Sequence, residues 1–243
     1  MKKRLDQLIA DKGLVNSRNK AQAVIMAGQV MVDGKVVTKP GTPTKEDSKI
    51  KIKELPKYVS RGGEKLESAV KNFNIKFLNK TVLDVGSSTG GFTDFALQNG
   101  AKKVYAVDVG TNQLDYKLRQ DKRVEVMEKT DIRSVKNLAS CSEIVVIDVS
   151  FISIRKVLPV TEQHLCANGQ IIAMVKPQFE ASKKEADLNK GVIKNDKIRR
   201  KVLKDFEEWS KERYVIVDKA DSSLAGQKGN IERFYLLKPI KKN

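Results

Sequence analysis

Four ionisable side chains, widely separated along the chain, have the types that a proton-transfer site needs. They are Lys65, Asp148, Lys176 and Glu232. Each lies at the edge of an apolar run, where the strands of an α/β sheet would deliver side chains to one cleft. Two amines and two carboxylates around a glycine-rich turn suggest methyl transfer to a hydroxyl group.

That turn, residues 84–92 with the sequence DVGSSTGGF, follows an apolar run at 81–85. Its glycines would let the backbone approach a ligand closely. Their GxxxGG spacing differs from the GxGxxG of dinucleotide-binding proteins and disfavours a nicotinamide oxidoreductase. The residues that we expect to contact a cofactor are Asp84, Gly86, Ser87, Gly90, Gly91, Phe92, Asp108 and Asp131.

Two of these carboxylates follow later predicted strands. Asp108 is placed to accept both ribose hydroxyls of a nucleoside cofactor, and Asp131 to accept the exocyclic amine of an adenine. Together with the turn they favour S-adenosylmethionine. A strand-end aspartate can instead cap a helix, and Asp84 could serve only to organise the turn.

Short apolar runs alternate with helical stretches after residue 80, and each run predicts a strand. The predicted strands are 81–85, 103–107, 124–127, 144–147, 171–175, 214–217 and 234–237, with helices at 92–98 and 196–211. The last two strands have only a short polar segment between them, so they should form an antiparallel hairpin. We therefore predict an α/β fold with a Rossmann-like, doubly wound methyltransferase sheet and an antiparallel last strand.

The first 53 residues predict a separate small α+β domain. Leu5, Leu8 and Ile9 have helical spacing, Ser17 is placed to cap a second helix, and Asp33-Gly34 is typical of a hairpin turn. Residues 54–60 then read as a linker, because Pro56 favours extended backbone before it. This divides the chain into a domain at 1–53, a linker at 54–60 and a domain at 61–243.

The chain carries 47 Lys and Arg against 30 Asp and Glu, a net charge of +17. This excess favours a polyanionic partner, either nucleic acid or an acidic membrane surface, although a simply basic soluble protein is an alternative. Cys141 and Cys166 lack CxxC spacing, which argues against a disulfide scaffold or a metal site and fits a reducing compartment. With no apolar run of about 20 residues, we expect a cytoplasmic protein without stable membrane insertion.

Residues 1–53 resemble the S4 RNA-binding domain. The resemblance rests on Arg4-Leu5-Asp6, Ser17-Arg18, Ala21 and the string GQVMVDG at 28–34. It implies that basic groups of the two helices and the following turn contact folded RNA. These groups are Lys3, Arg4, Arg18, Lys20 and Lys35. Ordinary solvated charge is the alternative for each of them.

Four strings in order resemble one family over nearly the whole chain: YVSRGGEKL at 58–66, DVGSSTGGFTD at 84–94, DVSFIS at 148–153 and VKPQFE at 175–180. They are similar to TlyA-type (hemolysin A family) ribosomal RNA methyltransferases, in which an S4 domain precedes an FtsJ-like domain. The resemblance implies (cytidine-2′-O-)methylation of ribosomal RNA or ribosomal subunits with S-adenosylmethionine. It also implies a Lys-Asp-Lys-Glu catalytic tetrad at Lys65, Asp148, Lys176 and Glu232.

Within this tetrad we expect Lys176 to accept the proton of the ribose hydroxyl. The like charge of Lys65 and partial burial would lower the pKa of Lys176, and the two carboxylates would orient the amines. The alternatives are two buried structural salt bridges, a membrane-active cytolysin, and an RNA-binding module with an inactive cofactor fold. His164, the sole histidine, is expected on a helix surface. The sequence does not indicate the oligomeric state.

Overall fold

The computed structural model describes residues 2–15, 17–53, 57–182, 192–193, 195–226 and 228–240. The chain divides into two compact units, Met1–Lys57 and Tyr58–Asn243. The linker predicted at 54–60 is therefore too long at its C-terminal end, because Tyr58 is buried in the core of the larger unit with its ring 5.7 Å from that of Phe95. Residues 54–56 lie outside the described residues.

The smaller unit has two helices and two small antiparallel sheets. Its elements are β1 (Lys2–Arg4), α1 (Leu5–Asp11), α2 (Arg18–Met26), β2 (Val30–Val32), β3 (Lys35–Val37), β4 (Pro43–Lys45) and β5 (Ile50–Ile52). Strand β2 lies between β3 and β5, and β1 pairs with β4. The Ser17 hydroxyl accepts the Lys20 N–H at 3.2 Å, so the predicted cap of α2 is confirmed. Leu5, Ile9, Val24 and Ile25 form the core.

The larger unit alternates strands and helices. Its elements are α3 (Arg61–Phe73), β6 (Thr81–Val85), α4 (Gly91–Gln98), β7 (Lys103–Val107), α5 (Tyr116–Arg119), β8 (Val124–Met127), β9 (Ser142–Ile147), α6 (Leu158–Thr161), β10 (Leu165–Val175), α7 (Pro177–Glu180), α8 (Asp196–Ser210), β11 (Tyr214–Asp221) and β12 (Arg233–Pro239). Short 3₁₀ turns lie at 132–134, 154–156 and 162–164. The predicted strands are all present, several of them longer than the sequence indicated.

These seven strands form one sheet in the order β11-β12-β10-β9-β6-β7-β8. Strands β6 to β10 are parallel, and β12 is antiparallel to both of its neighbours, as predicted. Apolar cores cover the two faces of the sheet. Because the parallel strands share one direction, Gly86, Asp148 and Lys176 follow β6, β9 and β10 at the same sheet edge.

Helix α3 was not predicted, and it corrects the expected placement of Lys65. Leu66, Ala69, Val70 and Phe73 recur at helical spacing and are buried in one core. Lys65 therefore projects from the second turn of a helix and not from a strand end.

Two further expectations were wrong. Cys141 and Cys166 form a disulfide between the starts of β9 and β10, since these strands are direct neighbours in the sheet. Cysteine spacing along the chain did not show this proximity. His164 is 3% exposed and not on a helix surface, and its burial lowers its pKa.

Candidate functional site

A cavity of about 730 Å³ opens at the edge where the parallel strands of the larger unit end. Lys65, Asp148, Lys176 and Glu232 all line it. Four of the expected cofactor residues line it as well, namely Gly86, Ser87, Gly91 and Phe92. Asp84, Gly90, Asp108 and Asp131 are not among the described residues that line this cavity. The fold thus brings the four ionisable side chains to the glycine-rich turn.

The four ionisable groups form two pairs. Lys65 Nζ donates a hydrogen bond to Glu232 Oε2 at 2.6 Å, and both side chains are buried. Lys176 Nζ lies 2.6 Å from Asp148 Oδ1 and donates a hydrogen bond to the Ser150 hydroxyl at 2.8 Å. Each amine therefore has a carboxylate that holds it at the cavity wall. Whether the four residues catalyse a reaction stays a prediction.

Glu232 is placed by the segment between β11 and β12. The Ser222 N–H donates to the Glu232 carbonyl at 2.8 Å, and the guanidinium of Arg61 donates to the Ala225 carbonyl at 3.0 Å. A Cβ atom on Gly226 would lie 2.8 Å from Glu232 Oε1. The carboxylate thus has room beside this segment only because position 226 carries no side chain.

Gly86 joins two of the strand-end loops. Its φ of +84° is in the left-handed region, and a Cβ atom there would lie 2.5 Å from the Asp148 carbonyl oxygen. The left-handed φ and the short distance to the carbonyl oxygen both disfavour any residue larger than glycine at this position. The turn after β6 can therefore pack directly against the loop that carries Asp148.

Asp84 lies beneath the turn, fully buried, where the Thr93 hydroxyl donates to its Oδ2 at 2.6 Å. No donor among the described residues reaches Oδ1. Burial, with smaller contributions from the charges of Asp148 and Asp108, raises the pKa of this carboxyl to about 7, although the Thr93 hydrogen bond acts in the opposite direction. This position favours the alternative that Asp84 organises the turn.

Asp108 connects the turn to the loop after β7. Its Oδ2 accepts the Ser88 N–H at 2.8 Å, and its Oδ1 accepts the Gly110 N–H at 2.7 Å. Both oxygens keep further lone pairs that a ligand hydroxyl could use. The predicted ribose contact is compatible with this geometry and stays a prediction.

Asp131 caps the turn at 132–134. Its Oδ1 accepts the Arg133 N–H at 2.9 Å, and the Arg133 guanidinium holds both of its oxygens. The hydrogen bonds of Arg133 lower the pKa of Asp131. The capping alternative is thus realised, and an adenine contact stays a prediction.

Sequence reasoning missed Glu128, which follows β8. Its carboxylate accepts the N–H groups of Asn112, Gln113 and Leu114 and pairs with Arg119. Burial opposes ionisation, but these hydrogen bonds outweigh it and lower the pKa of Glu128 to about 2. The only signal was an acidic residue directly after a predicted strand. Glu128 fixes the loop that follows Asp108.

Two further residues near the site, Phe151 in the string DVSFIS and Glu180 in the string VKPQFE, were not predicted to have a role. Phe151 lines the cavity although its side chain is 92% exposed, and its ring lies 5.1 Å from that of Phe179. Its φ of +63° is uncommon for a large side chain. A solvent-exposed aromatic ring at the mouth of a cavity could stack on a planar group of a ligand.

Glu180 joins the loop after β9 to the end of α7. Its carboxylate accepts the Ser153 hydroxyl at 2.7 Å and the Ile154 N–H at 2.6 Å. The loop that carries Asp148 and Ser150 is therefore fastened to the helix that follows Lys176.

In the smaller unit, buried Asp6 holds two of the predicted RNA-binding residues. Its carboxylate accepts hydrogen bonds from Arg4, Arg18 and Gln22, and these lower its pKa. Lys3 lies 3.7 Å from Asp11 and from Glu46, whereas Lys20 and Lys35 are exposed. Two of the five cations are therefore held by a buried carboxylate, and RNA contact by all five stays a prediction.

Comparison with known proteins gives two family matches. Residues 58–238 match the FtsJ-like methyltransferase family, and residues 3–50 match the S4 domain. A solved structure described as "Putative hemolysin from Streptococcus thermophilus" has a TM-score of 0.74 and 40% identity. The match covers 98% of this chain and 88% of that one.

Two curated relatives carry enzyme names. "Putative rRNA methyltransferase YqxC" of Bacillus subtilis is 46% identical over 95% of this chain and 84% of its own length. "16S/23S rRNA (cytidine-2'-O)-methyltransferase TlyA" of Mycobacterium tuberculosis is 36% identical over 97% of this chain and 89% of its own length. The chain therefore belongs to the FtsJ-like methyltransferase family and, with its S4 domain, to the TlyA group within it.

Proposed function

We propose that this protein transfers a methyl group from S-adenosylmethionine to a ribose 2′-hydroxyl of ribosomal RNA. The observation that carries the proposal is the cavity in which two lysine–carboxylate pairs face a glycine-rich turn. The relatives named as ribosomal RNA methyltransferases support the same reaction. The name of the second relative supports cytidine as the nucleoside.

The residues at the turn suit a nucleoside cofactor. Gly86, Ser87, Gly91 and Phe92 offer backbone and an apolar wall, and Asp108 offers carboxylate oxygens at the end of β7. The amide oxygen of Gln178, another cavity residue, is buried and has no donor among the described residues. Such an acceptor suits an ammonium or hydroxyl group of a ligand. When bound, S-adenosylmethionine supplies a methyl group on a positively charged sulfur.

The lysine pairs would prepare the hydroxyl group. We assign proton acceptance to Lys176 Nζ, which Asp148 and Ser150 hold at the cavity wall. Lys65, held by Glu232, would donate a hydrogen bond that keeps the substrate in place. Orientation of this kind contributes up to about 7–11 kcal/mol to catalysis in favourable cases.

The remaining features suit RNA. The exposed ring of Phe151 could stack on a base at the cavity mouth, as aromatic side chains do with unstacked nucleotides. The cations of the S4 domain, together with the net charge of +17, would bind phosphates and position the RNA.

The proposal is tested with purified ribosomal subunits and a methyl-labelled cofactor. We expect label at one or a few cytidines whose 3′ phosphodiester bonds resist alkali, because 2′-O-methylation blocks hydrolysis there. Lys176→Ala should give no label, whereas Lys204→Ala, an exposed change on α8, should match the wild type. Label on a base, or none on either subunit, would contradict the proposal.

The hemolysin in the name of the solved relative points to membrane lysis as the competing function. None of the helices in the described ranges is long and apolar enough to span a bilayer. Lysis of erythrocytes by Lys176→Ala protein as strong as that by the wild type would favour the competing function.

A further inference from the structure

The amine of Lys176 contacts two groups that come from one short segment, a carboxylate and a hydroxyl. Asp148 Oδ1 lies 2.6 Å from Nζ, and the hydroxyl of Ser150 accepts a hydrogen bond at 2.8 Å. Among the described residues, Asp148 Oδ1 has no hydrogen-bond partner, so Asp148 binds Lys176 as an ion pair and Ser150 is the hydrogen-bond acceptor. Lys65 instead donates its hydrogen bond to the carboxylate of its own ion pair, Glu232. The two lysines of the site are therefore held differently.

A hydrogen bond in addition to the ion pair changes which directions are open to the nitrogen. A lysine nitrogen is tetrahedral, with one bond to carbon and three positions for protons or a lone pair. An ion pair without an aligned hydrogen bond does not fix rotation about the Cε–Nζ bond. The hydrogen bond to the Ser150 hydroxyl fixes that rotation, because turning the nitrogen would break it, and so gives the other two positions defined directions.

We propose that Ser150 is a positioning residue for methyl transfer: its hydrogen bond fixes the rotation of Lys176 Nζ, which Asp148 holds by an ion pair, so that another position of the nitrogen faces the substrate hydroxyl. The inference rests on the proposed function and adds a residue to its site. Ser150 and Lys176 both line the cavity, which is where that position has to point.

The segment that carries Ser150 is itself held on both sides. Asp148 is tied to the sheet by its N–H, which donates to the Val85 carbonyl at 2.9 Å. Beyond Ser150, the Ser153 hydroxyl and the Ile154 N–H bind Glu180 at the end of α7. Because α7 directly follows Lys176, the hydroxyl and the amine are fixed by the same contacts.

Single-turnover methylation of ribosomal subunits tests this role in the full-length protein. We expect Ser150→Ala to slow methyl transfer about tenfold, as the loss of one orienting hydrogen bond would. Dissociation constants for S-adenosylmethionine and for RNA should stay within about twofold of the wild type. Ser150→Thr, which keeps a hydroxyl, should recover most of the rate.

The matched control is Ser140→Ala, a change at an exposed serine before β9 that is outside the cavity lining. Its hydroxyl also has one side-chain partner, the Tyr105 hydroxyl at 3.0 Å. The control therefore removes a comparable hydrogen bond at a place remote from the sheet edge of the site. We expect its rate of methyl transfer to equal that of the wild type.

Three outcomes would overturn the inference. One is a Ser150→Ala rate equal to the wild type and the Ser140→Ala control. Another is Ser150→Ala protein that transfers methyl slowly only because it binds cofactor or RNA weakly. The third is a Ser150→Thr variant as slow as Ser150→Ala, which would assign the effect to side-chain size. Wild-type protein that methylates no RNA would instead overturn the proposed function, and the two failures are thus distinguishable.

Discussion

Lys65 Nζ and Glu232 Oε2 lie 2.6 Å apart although 167 residues separate them in the chain. The lysine projects from α3, and the carboxylate precedes β12, so one hydrogen bond joins the start of the larger unit to its end. Both side chains are buried, 11% and 4% exposed. Replacing either residue with an uncharged one therefore leaves the other as an unpaired charge that is buried away from water.

We expect Lys65→Met to lower the free energy of unfolding by about 3–5 kcal/mol, because it leaves a buried carboxylate unpaired. Adding Glu232→Leu should restore much of that stability, since an apolar pair of similar volume replaces the ions. Urea unfolding followed by Trp209 fluorescence measures both effects. Methyl transfer should stay abolished in the double variant. If activity returned together with stability, the pair would be structural only.

The base assignment predicts that Lys176→Ala and Lys176→Arg are both inactive while cofactor and RNA still bind. A guanidinium stays charged at any usable pH and cannot accept a proton. Turnover of labelled ribosomal subunits is the measurement, with calorimetry to confirm binding and Lys204→Ala as the control. An arginine variant with near wild-type turnover would show that position 176 only steers the hydroxyl.

Much of the fold could be predicted because buried parallel strands are continuous apolar runs, as in 144–147 and 171–175. The residue that follows such a run lies at the ligand-binding edge, which is how Asp148 and Lys176 were identified. The disulfide was missed because pairing of Cys141 with Cys166 depends on which strands are neighbours in the sheet.

Carboxylates with local backbone partners were harder to interpret. Asp131 was expected at a ligand, yet its oxygens bind Arg133 two residues later. Glu128 received no role, although three successive N–H groups converge on it. A strand-end acid has the same sequence signature whether it binds a ligand or a loop, and only the folded chain shows which donors reach it.

Asp108→Ala should weaken S-adenosylmethionine binding by about 1.5–3 kcal/mol, the cost of losing charge-assisted hydrogen bonds. Part of this loss would come from the turn, since Asp108 also holds the N–H groups of Ser88 and Gly110. Isothermal titration calorimetry measures the affinity, and Asp205→Ala on the exposed face of α8 is the control. Unchanged affinity would remove Asp108 from the cofactor site.

Asp84 predicts a pH dependence of stability. Burial raises its pKa to about 7 from 3.8, so the folded protein keeps a proton that the unfolded chain releases between about pH 4 and pH 7. The free energy of unfolding contributed by this group is therefore present below pH 4 and is lost as the pH rises through about 7. The slope is at most about 1.4 kcal/mol per pH unit.

Asp84→Asn tests this dependence, because an amide carries no charge and its oxygen can still accept the Thr93 hydroxyl. Urea unfolding at several pH values should show the variant gaining stability relative to the wild type from pH 4 to 7. Taking the difference cancels the opposite trend of Asp6 and Glu128, whose lowered pKa values favour folding above their unfolded range. Parallel curves for the two proteins would mean that Asp84 is ionised in the fold throughout.

The S4 domain should bind RNA through phosphate contacts, and these depend steeply on salt because each one releases condensed counterions. Lys20 and Lys35 are the clearest candidates, since Arg4 and Arg18, although also exposed, are held by ion pairs with Asp6. Lys20→Ala/Lys35→Ala should weaken RNA binding and reduce the slope of log K against log salt by about 2, one unit per contact. Cofactor affinity should not change.

The double variant Lys197→Ala/Lys204→Ala removes the same charge from α8 and should leave the slope unaltered. Equal slopes for both double variants would mean that net charge, and not the S4 surface, governs RNA binding.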